Sequence, residues 1–213
     1  MNFNNAKPHI LVLLIFIAIS FIYFSPVLEG KLLDQHDIKT YKGMSKEIKD
    51  FRDKTGEEAL WTNSMFSGMP AYQISVKYKK NLIQYVDKIL TLGLPRPVNL
   101  LFLYLLGFYI LLLTLKVDYR IAFIGSIAFA FSSYFFIIIQ AGHMSKAHAI
   151  AYFPFVVAAV LYTYRGRMLL GGTLTALAVA LEVYTNHFQI TYYLVLVLLI
   201  IGLFQLYKDF KNK

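Results

Sequence analysis

Long apolar runs separated by short polar breaks make up most of this chain. Six runs stand out, beginning near His9, Val98, Ile121, Ala149, Met168 and Ile190. About 20 consecutive apolar residues in a helix match the ~30 Å hydrocarbon core of a bilayer. The pattern therefore predicts an all-α fold, a polytopic transmembrane helix bundle of about six spans, with a single transmembrane domain over residues 1–213. The runs from Ala149 and Met168 are short and need interfacial residues to complete a span. The third, "IAFIGSIAFAFSSYFFIII", reads as one continuous span. In the fifth, Gly172, Ala176 and Ala180 recur every four residues, a ridge of small side chains suited to close helix packing.

Residues 29–97 interrupt the apolar pattern with a polar segment that contains two amphipathic stretches. In "YKGMSKEIKDFRDK", Tyr41, Met44, Ile48 and Phe51 share one face and Lys and Asp fill the other. "NLIQYVDKILTLGLP" repeats the device with Leu82, Val86, Ile89 and Leu90. Asn81 is its expected N-cap, and Gly93 and Pro95 end it. Each stretch predicts an interfacial helix that lies on the membrane surface or packs against the bundle.

Composition agrees with a membrane protein, since 58% of the residues are hydrophobic, against ~45–50% in soluble domains. A formal charge of +9 raises nucleic acid as a partner, but the chain offers no soluble basic domain to hold it. The long segment 29–97 is basic too, but long loops translocate largely regardless of charge, so the cations of the short loops decide the orientation. Lys7, Lys116 with Arg120, Arg165 with Arg167, and Lys208 with Lys211 and Lys213 fall on one side if the spans alternate. The positive-inside rule makes that side cytoplasmic, with the N-terminus. The first run is longer than a signal-peptide core, and "FSPVLEGK" offers no small-residue cleavage site, so an uncleaved anchor is expected. The chain has no cysteine, which excludes disulfides and thiolate metal sites.

This topology gathers the polar chemistry at the outer face. In "DQHD", Asp34 and Asp37 share a helix face and suit a divalent cation with His36 nearby, or a general base. A solvated loop or helix cap is the plainer reading. In "GHMSKAH", His143 and His148 are five apart, about 140° around a helix, and Lys146 between them would repel a metal. An anion site fits better, with Ser145 as N-cap and Lys146 and His148 beside free N–H groups at the positive helix end. Its expected ligand is a lipid phosphate or diphosphate. "LEVYTNHFQ" adds Glu182 at the end of an apolar run, where ionisable groups are costly. Asn186, His187 and Gln189 follow, with amide groups suited to sugar hydroxyls. In "LWTNSMFSGMPAYQI", Trp61 and Asn63 could bind a sugar or anchor the loop among lipid head groups.

"FSPVLEGKLLDQHDIKTYKGMSKEI", "LWTNSMFSGMPAYQI", "FAFSSYFFIIIQAGHMSKAHAIAY" and "YTNHFQITYYL" together resemble the N-terminal part of YfhO-type bacterial membrane proteins. These in turn resemble the GT-C superfamily of polytopic glycosyltransferases. The resemblance implies a bacterial inner-membrane enzyme. It would transfer a sugar from a polyprenyl-phosphate donor to a cell-envelope glycan or lipid acceptor. It implies Asp37 as the catalytic acidic residue, with Asp34 as neighbour; the carboxylates would deprotonate the acceptor hydroxyl or hold Mg or Mn. Lys146, His143, Ser145 and His148 would meet the lipid phosphate, and Trp61, Asn63, Glu182, Asn186, His187 and Gln189 the sugar. GT-C proteins usually have more spans, so an N-terminal fragment of a longer protein is expected. The competing expectations are a transporter or flippase of lipid-linked glycans, and a structural subunit without a site.

Overall fold

The computed structural model describes residues 3–78 and 80–212. Seven helices carry the apolar runs: α1 (Phe3–Tyr23), α5 (Val98–Thr114), α6 (Tyr119–Ala130), α7 (Ser133–Ala141), α8 (Met144–Tyr164), α9 (Met168–Tyr184) and α10 (Phe188–Lys211). Between α1 and α5 lie α2 (His36–Met44), α3 (Lys46–Thr55) and α4 (Ile83–Leu90). A two-residue antiparallel pair, β1 (Trp61–Thr62) and β2 (Met69–Pro70), sits between α3 and α4. The fold is an all-α bundle, as the apolar pattern requires.

α5 is apolar all round, and a helix of that kind belongs in the interior. Its residues Val98 to Leu105 are buried, with Gly107 and Tyr109, and it packs against α1, α6 and α8. Two glycines set the closest approaches. A Cβ on Gly107 would stand 2.7 Å from the Phe155 ring, and one on Gly171 would stand 2.6 Å from Thr163 Cα. α8 is therefore pressed against α5 on one side and α9 on the other.

The outer helices show what surrounds the bundle. Among the described residues, three helices are long and apolar enough to cross a membrane: α1 from Ala6, α8 and α10. Only 17% of the apolar window of α1 and 11% of that of α10 is buried, against 56% for α8. Leu11, Leu14, Leu203 and Phe204 point outward. Apolar surface that continuous is stable in lipid and not in water. The chain is a membrane protein whose environment is the bilayer.

Three local expectations are corrected. The third apolar run is not one helix: it breaks at Phe131–Ser132, and α6 and α7 meet at 45°. Adjacent Ser132 and Ser133 stand at the break, with Ser132 at the N-cap position of α7, and serine favours helix ends over interiors. Span lengths differ as well: α5, expected to span, has 17 residues, about 25 Å, short of the ~30 Å core. The run from Ala149, expected to be short, lies in the 21-residue α8, while α9, at 17 residues, is short as its run implied. The ridge of Gly172, Ala176 and Ala180 faces outward; Gly171 and Ala178 face the bundle instead, a rotation of about 100° for a one-residue shift.

The segment over residues 29–97 also departs in detail. The first amphipathic stretch is two helices separated by Ser45, and Ile48 is its fully buried anchor. The second stretch forms α4, and Asn81 caps it by accepting the Ile83 N–H at 3.1 Å. Ile83, Val86 and Leu90 seat α4 on the bundle core, while Leu82, Tyr85 and Ile89 remain exposed.

Candidate functional site

The start of α2 docks onto the α7–α8 corner, and the docking is specific. Gln35 Nε2 donates to the Ile139 carbonyl and contacts Met144 Sδ at 3.4 Å, and Gln140 Nε2 donates to the Asp34 carbonyl at 3.3 Å. Gly142 makes the approach possible. Its φ of +96° is left-handed, and an added Cβ would stand 3.2 Å from the Cβ atoms of both Asp37 and Gln35. The consequence is a pair: His143 Nε2 lies 2.9 Å from Asp37 Oδ2. Both side chains are about half exposed, 45% and 48%, and exposed pairs contribute only ~0–1 kcal/mol. Stability does not account for this contact.

The pair lies in the wall of a cleft of about 890 Å³. The loops carrying Asp37, His143 to Lys146, and Asn186 with His187 all border it. Three stretches separate in sequence thus converge. Three helix N-termini meet there as well: Asp37 is in the first turn of α2, His143 stands at the N-cap position of α8, and His187 caps α10 with its side chain. Each brings partial positive charge and unpaired N–H groups. His187 Nδ1 accepts the Ile190 N–H at 3.4 Å, which leaves Nε2 as the protonated nitrogen of the neutral ring. Asn186 takes a φ of +57°, a conformation that asparagine tolerates better than most residues.

The charges in the cleft are unbalanced. Lys77, Arg96 and Lys146 border it with the two histidines, and Asp37 is the one carboxylate among its lining residues. Lys146 is steadied by the Tyr134 ring, 5.3 Å from its Nζ to the centroid. Tyr41, Tyr72, Tyr78 and Tyr184 supply aromatic faces, and Tyr41 also meets Ser75 Oγ at 3.0 Å, bracing the far wall. Lys77 and Arg96 are absent from the expected site residues. Their signal was the basic charge of "VKYKK" and "LPRPV" in the long segment between α1 and α5, a charge that carries no weight for topology.

Several expected site residues lie elsewhere. Ser145 is the second residue inside α8, not its cap, because the helix begins at Met144. It still borders the cleft. His148 turns away from it. Its Nε2 stands 2.8 Å from Asp87 Oδ1 of α4, and its ring stacks on Tyr152 at 5.1 Å. That contact has the distance of an ion pair but not the in-line angle of a hydrogen bond. Tyr152 donates to the same Asp87 oxygen at 2.5 Å. Burial alone would raise the Asp87 carboxyl; His148 and Tyr152 outweigh it and hold Asp87 below the usual carboxylate range.

Glu182 is fully buried between α9 and α10, where the Thr191 hydroxyl stands 3.0 Å from both its oxygens. Gln189 is exposed and donates to Tyr193. Trp61 covers Gly68 in the β1–β2 loop, and the Asn63 N–H points to Glu47; neither borders the cleft. Asp34 is exposed and held by Lys39 at 2.7 Å. With Asp34 on Lys39 and Asp37 on His143, the donor set does not fit a divalent metal. Among the described residues no cluster of three or more histidine or acidic side chains is disposed to hold one.

The fold and the cleft define a polytopic helical membrane protein with a cationic, aromatic-lined site at one end of the bundle. No family model, curated protein or solved structure matches the chain.

Proposed function

We propose that the cleft binds a polyprenyl-phosphate-linked sugar and transfers the sugar to a cell-envelope acceptor at the outer face of a bacterial inner membrane. The observation that carries this reading is the make-up of the cleft: three cations, two histidines, one carboxylate and aromatic rings, at the meeting point of three helix N-termini. Helix N-termini and lysine or arginine side chains are suited to phosphate, and aromatic faces with amide groups are suited to sugars. The six-span arrangement is read from the six apolar runs, and the cytoplasmic N-terminus from the Lys and Arg bias of the short loops.

In this reading Asp37, with His143 beside it, takes the proton of the acceptor hydroxyl. The hydroxyl oxygen bonds to the anomeric carbon, the carbon–oxygen bond to phosphate breaks, and the phosphate leaves with the electron pair. Lys146, Arg96 and Lys77 offset that charge, which is where preorganised cations contribute most. Asn186 and His187 hold sugar hydroxyls. A transporter would instead need free polar groups along the helices. The Ser126 and Thr175 hydroxyls donate to their own helices, at Ala122 and Gly171. The test is Asp37→Asn in lipid nanodiscs with a prenyl-phosphate hexose. Release of prenyl phosphate falls at least ~100-fold while the protein stays folded, and release at the wild-type rate overturns the assignment. Parallel reactions with Mg, Mn or a chelator test metal dependence.

A further inference from the structure

The Asp87–His148–Tyr152 cluster has no part in the transfer chemistry above, yet it is a costly feature of the fold. The side chains of His148 and Asp87 are only 9% and 19% exposed. Burying two ionisable groups is unfavourable compared with an apolar pair of similar size, unless they fix one arrangement among several. α4 does not need them for adhesion, since Ile83, Val86 and Leu90 already seat it on the bundle. Apolar contacts of that kind leave a short helix free to settle in more than one register. A carboxylate oxygen shared by a histidine nitrogen and a tyrosine hydroxyl permits only one.

What that register controls follows from the neighbours of each partner. Gln84, one turn before Asp87, and Arg96, in the segment leading out of α4, border one side of the cleft. Ser145 and Lys146, in the first turn of α8 just before His148, border the other. The α4 side is stiffened as far as the next turn, where Thr91 Oγ1 donates to the Asp87 carbonyl at 2.8 Å. The cluster therefore spans from one cleft wall to the other through buried contacts, of which the Tyr152–Asp87 hydrogen bond is the directional one.

We propose that Asp87 is a positioning residue, a strut between α4 and α8 that sets the separation of the Arg96 and Lys146 walls and so the affinity of the cleft for a phosphate-bearing ligand. The last step rests on the anion-binding reading of the cleft; the strut itself does not. The absence of cysteine makes a two-part experiment direct. Spin labels at Tyr85→Cys on α4 and Ile137→Cys on α7 report the wall separation by pulsed dipolar spectroscopy in nanodiscs. The expected result is one narrow distance distribution in the parent and a broad one in Asp87→Asn and Tyr152→Phe, recovered in part by Asp87→Glu. The second part measures the affinity for geranylgeranyl phosphate, expected to fall about fivefold or more in Asp87→Asn. Arg52→Gln, which breaks the pair between buried Arg52 of α3 and Glu58 just beyond it, is the control for general destabilisation and leaves affinity unchanged. An unchanged distance distribution in Asp87→Asn overturns the strut. A broadened distribution with parent affinity, or an equal loss of affinity in the control, overturns the proposed control of affinity and leaves the strut standing. If the parent itself does not bind the prenyl phosphate, the proposed function falls, and the distance distribution alone decides the strut.

Discussion

Replacing Gly142 with alanine isolates the contact on which the cleft depends. The residue has a φ of +96°, and a non-glycine residue held in such a conformation costs about 1–3 kcal/mol. The new Cβ also meets the Cβ atoms of Asp37 and Gln35 at 3.2 Å and the Ile38 nitrogen at 3.3 Å. Those neighbours cannot yield independently, because Gln35 is bonded to Ile139 and Asp37 sits in the first turn of α2. The two effects together place the loss near ~2–3 kcal/mol, and 2 kcal/mol is about a 30-fold change in an equilibrium constant. Gly172→Ala is the matched control. Gly172 is exposed in α9 with nothing within 4 Å of an added Cβ, so it gains up to ~1 kcal/mol from helix propensity. The assay is reversible denaturation in detergent, combined with hydrogen exchange at the α2 and α8 N-terminal amides. Gly142→Ala is expected to lower stability and to raise exchange at both termini, and Gly172→Ala to do neither. Parent-like stability and exchange in Gly142→Ala would refute the docking of α2 against the α7–α8 corner.

Two further outcomes are expected. Lys146→Ala and Arg96→Ala each weaken binding of a prenyl phosphate about tenfold or more, the scale of one charge-assisted contact. Titration calorimetry at two salt concentrations checks this, because the loss shrinks as salt screens exposed charges. Glu47 accepts from Thr62 Oγ1 and from the N–H groups of Asn63 and Ser64, and its carboxyl falls from 4.5 to about 2. A depressed folded-state pKa gives stability that is complete above 4.5 and disappears as pH falls toward 2. The fluorescence of Trp61, the one tryptophan in the chain, next to Thr62, is expected to change over that window and to lose the change in Glu47→Gln.

Much of the fold was legible because lipid imposes a crude rule: apolar runs of a certain length become helices. That rule located the starts of α5, α9 and α10 to within a few residues. It was blind to the break at Ser132, because a local preference of serine for helix ends does not register in average hydropathy. The chemistry was partly legible. Asp37, His143, Lys146, Asn186 and His187 were all singled out from their segments, and all border one cleft. The spacing of His143 and His148 indicated different directions, and one meets Asp37 while the other meets Asp87. What no spacing contains is a contact between residues far apart in sequence. Asp87 in an amphipathic stretch looks like a solvated charge until α8 brings His148 and Tyr152 to it. Arg96 looks like an interfacial cation until Asp37 and Lys146 are seen in the same cleft.

The central claim is that three outer loops form one site for a lipid-linked phosphate. Photo-crosslinking in lipid nanodiscs with a diazirine-bearing prenyl phosphate tests it most directly, with the modified residues mapped by mass spectrometry. The account expects labels in the segments around Lys77 and around His143 to Lys146, competed by unlabelled prenyl phosphate and weakened by Lys146→Ala. Labels confined to the lipid-facing sides of α1 and α10, indifferent to competitor and to Lys146, would contradict it.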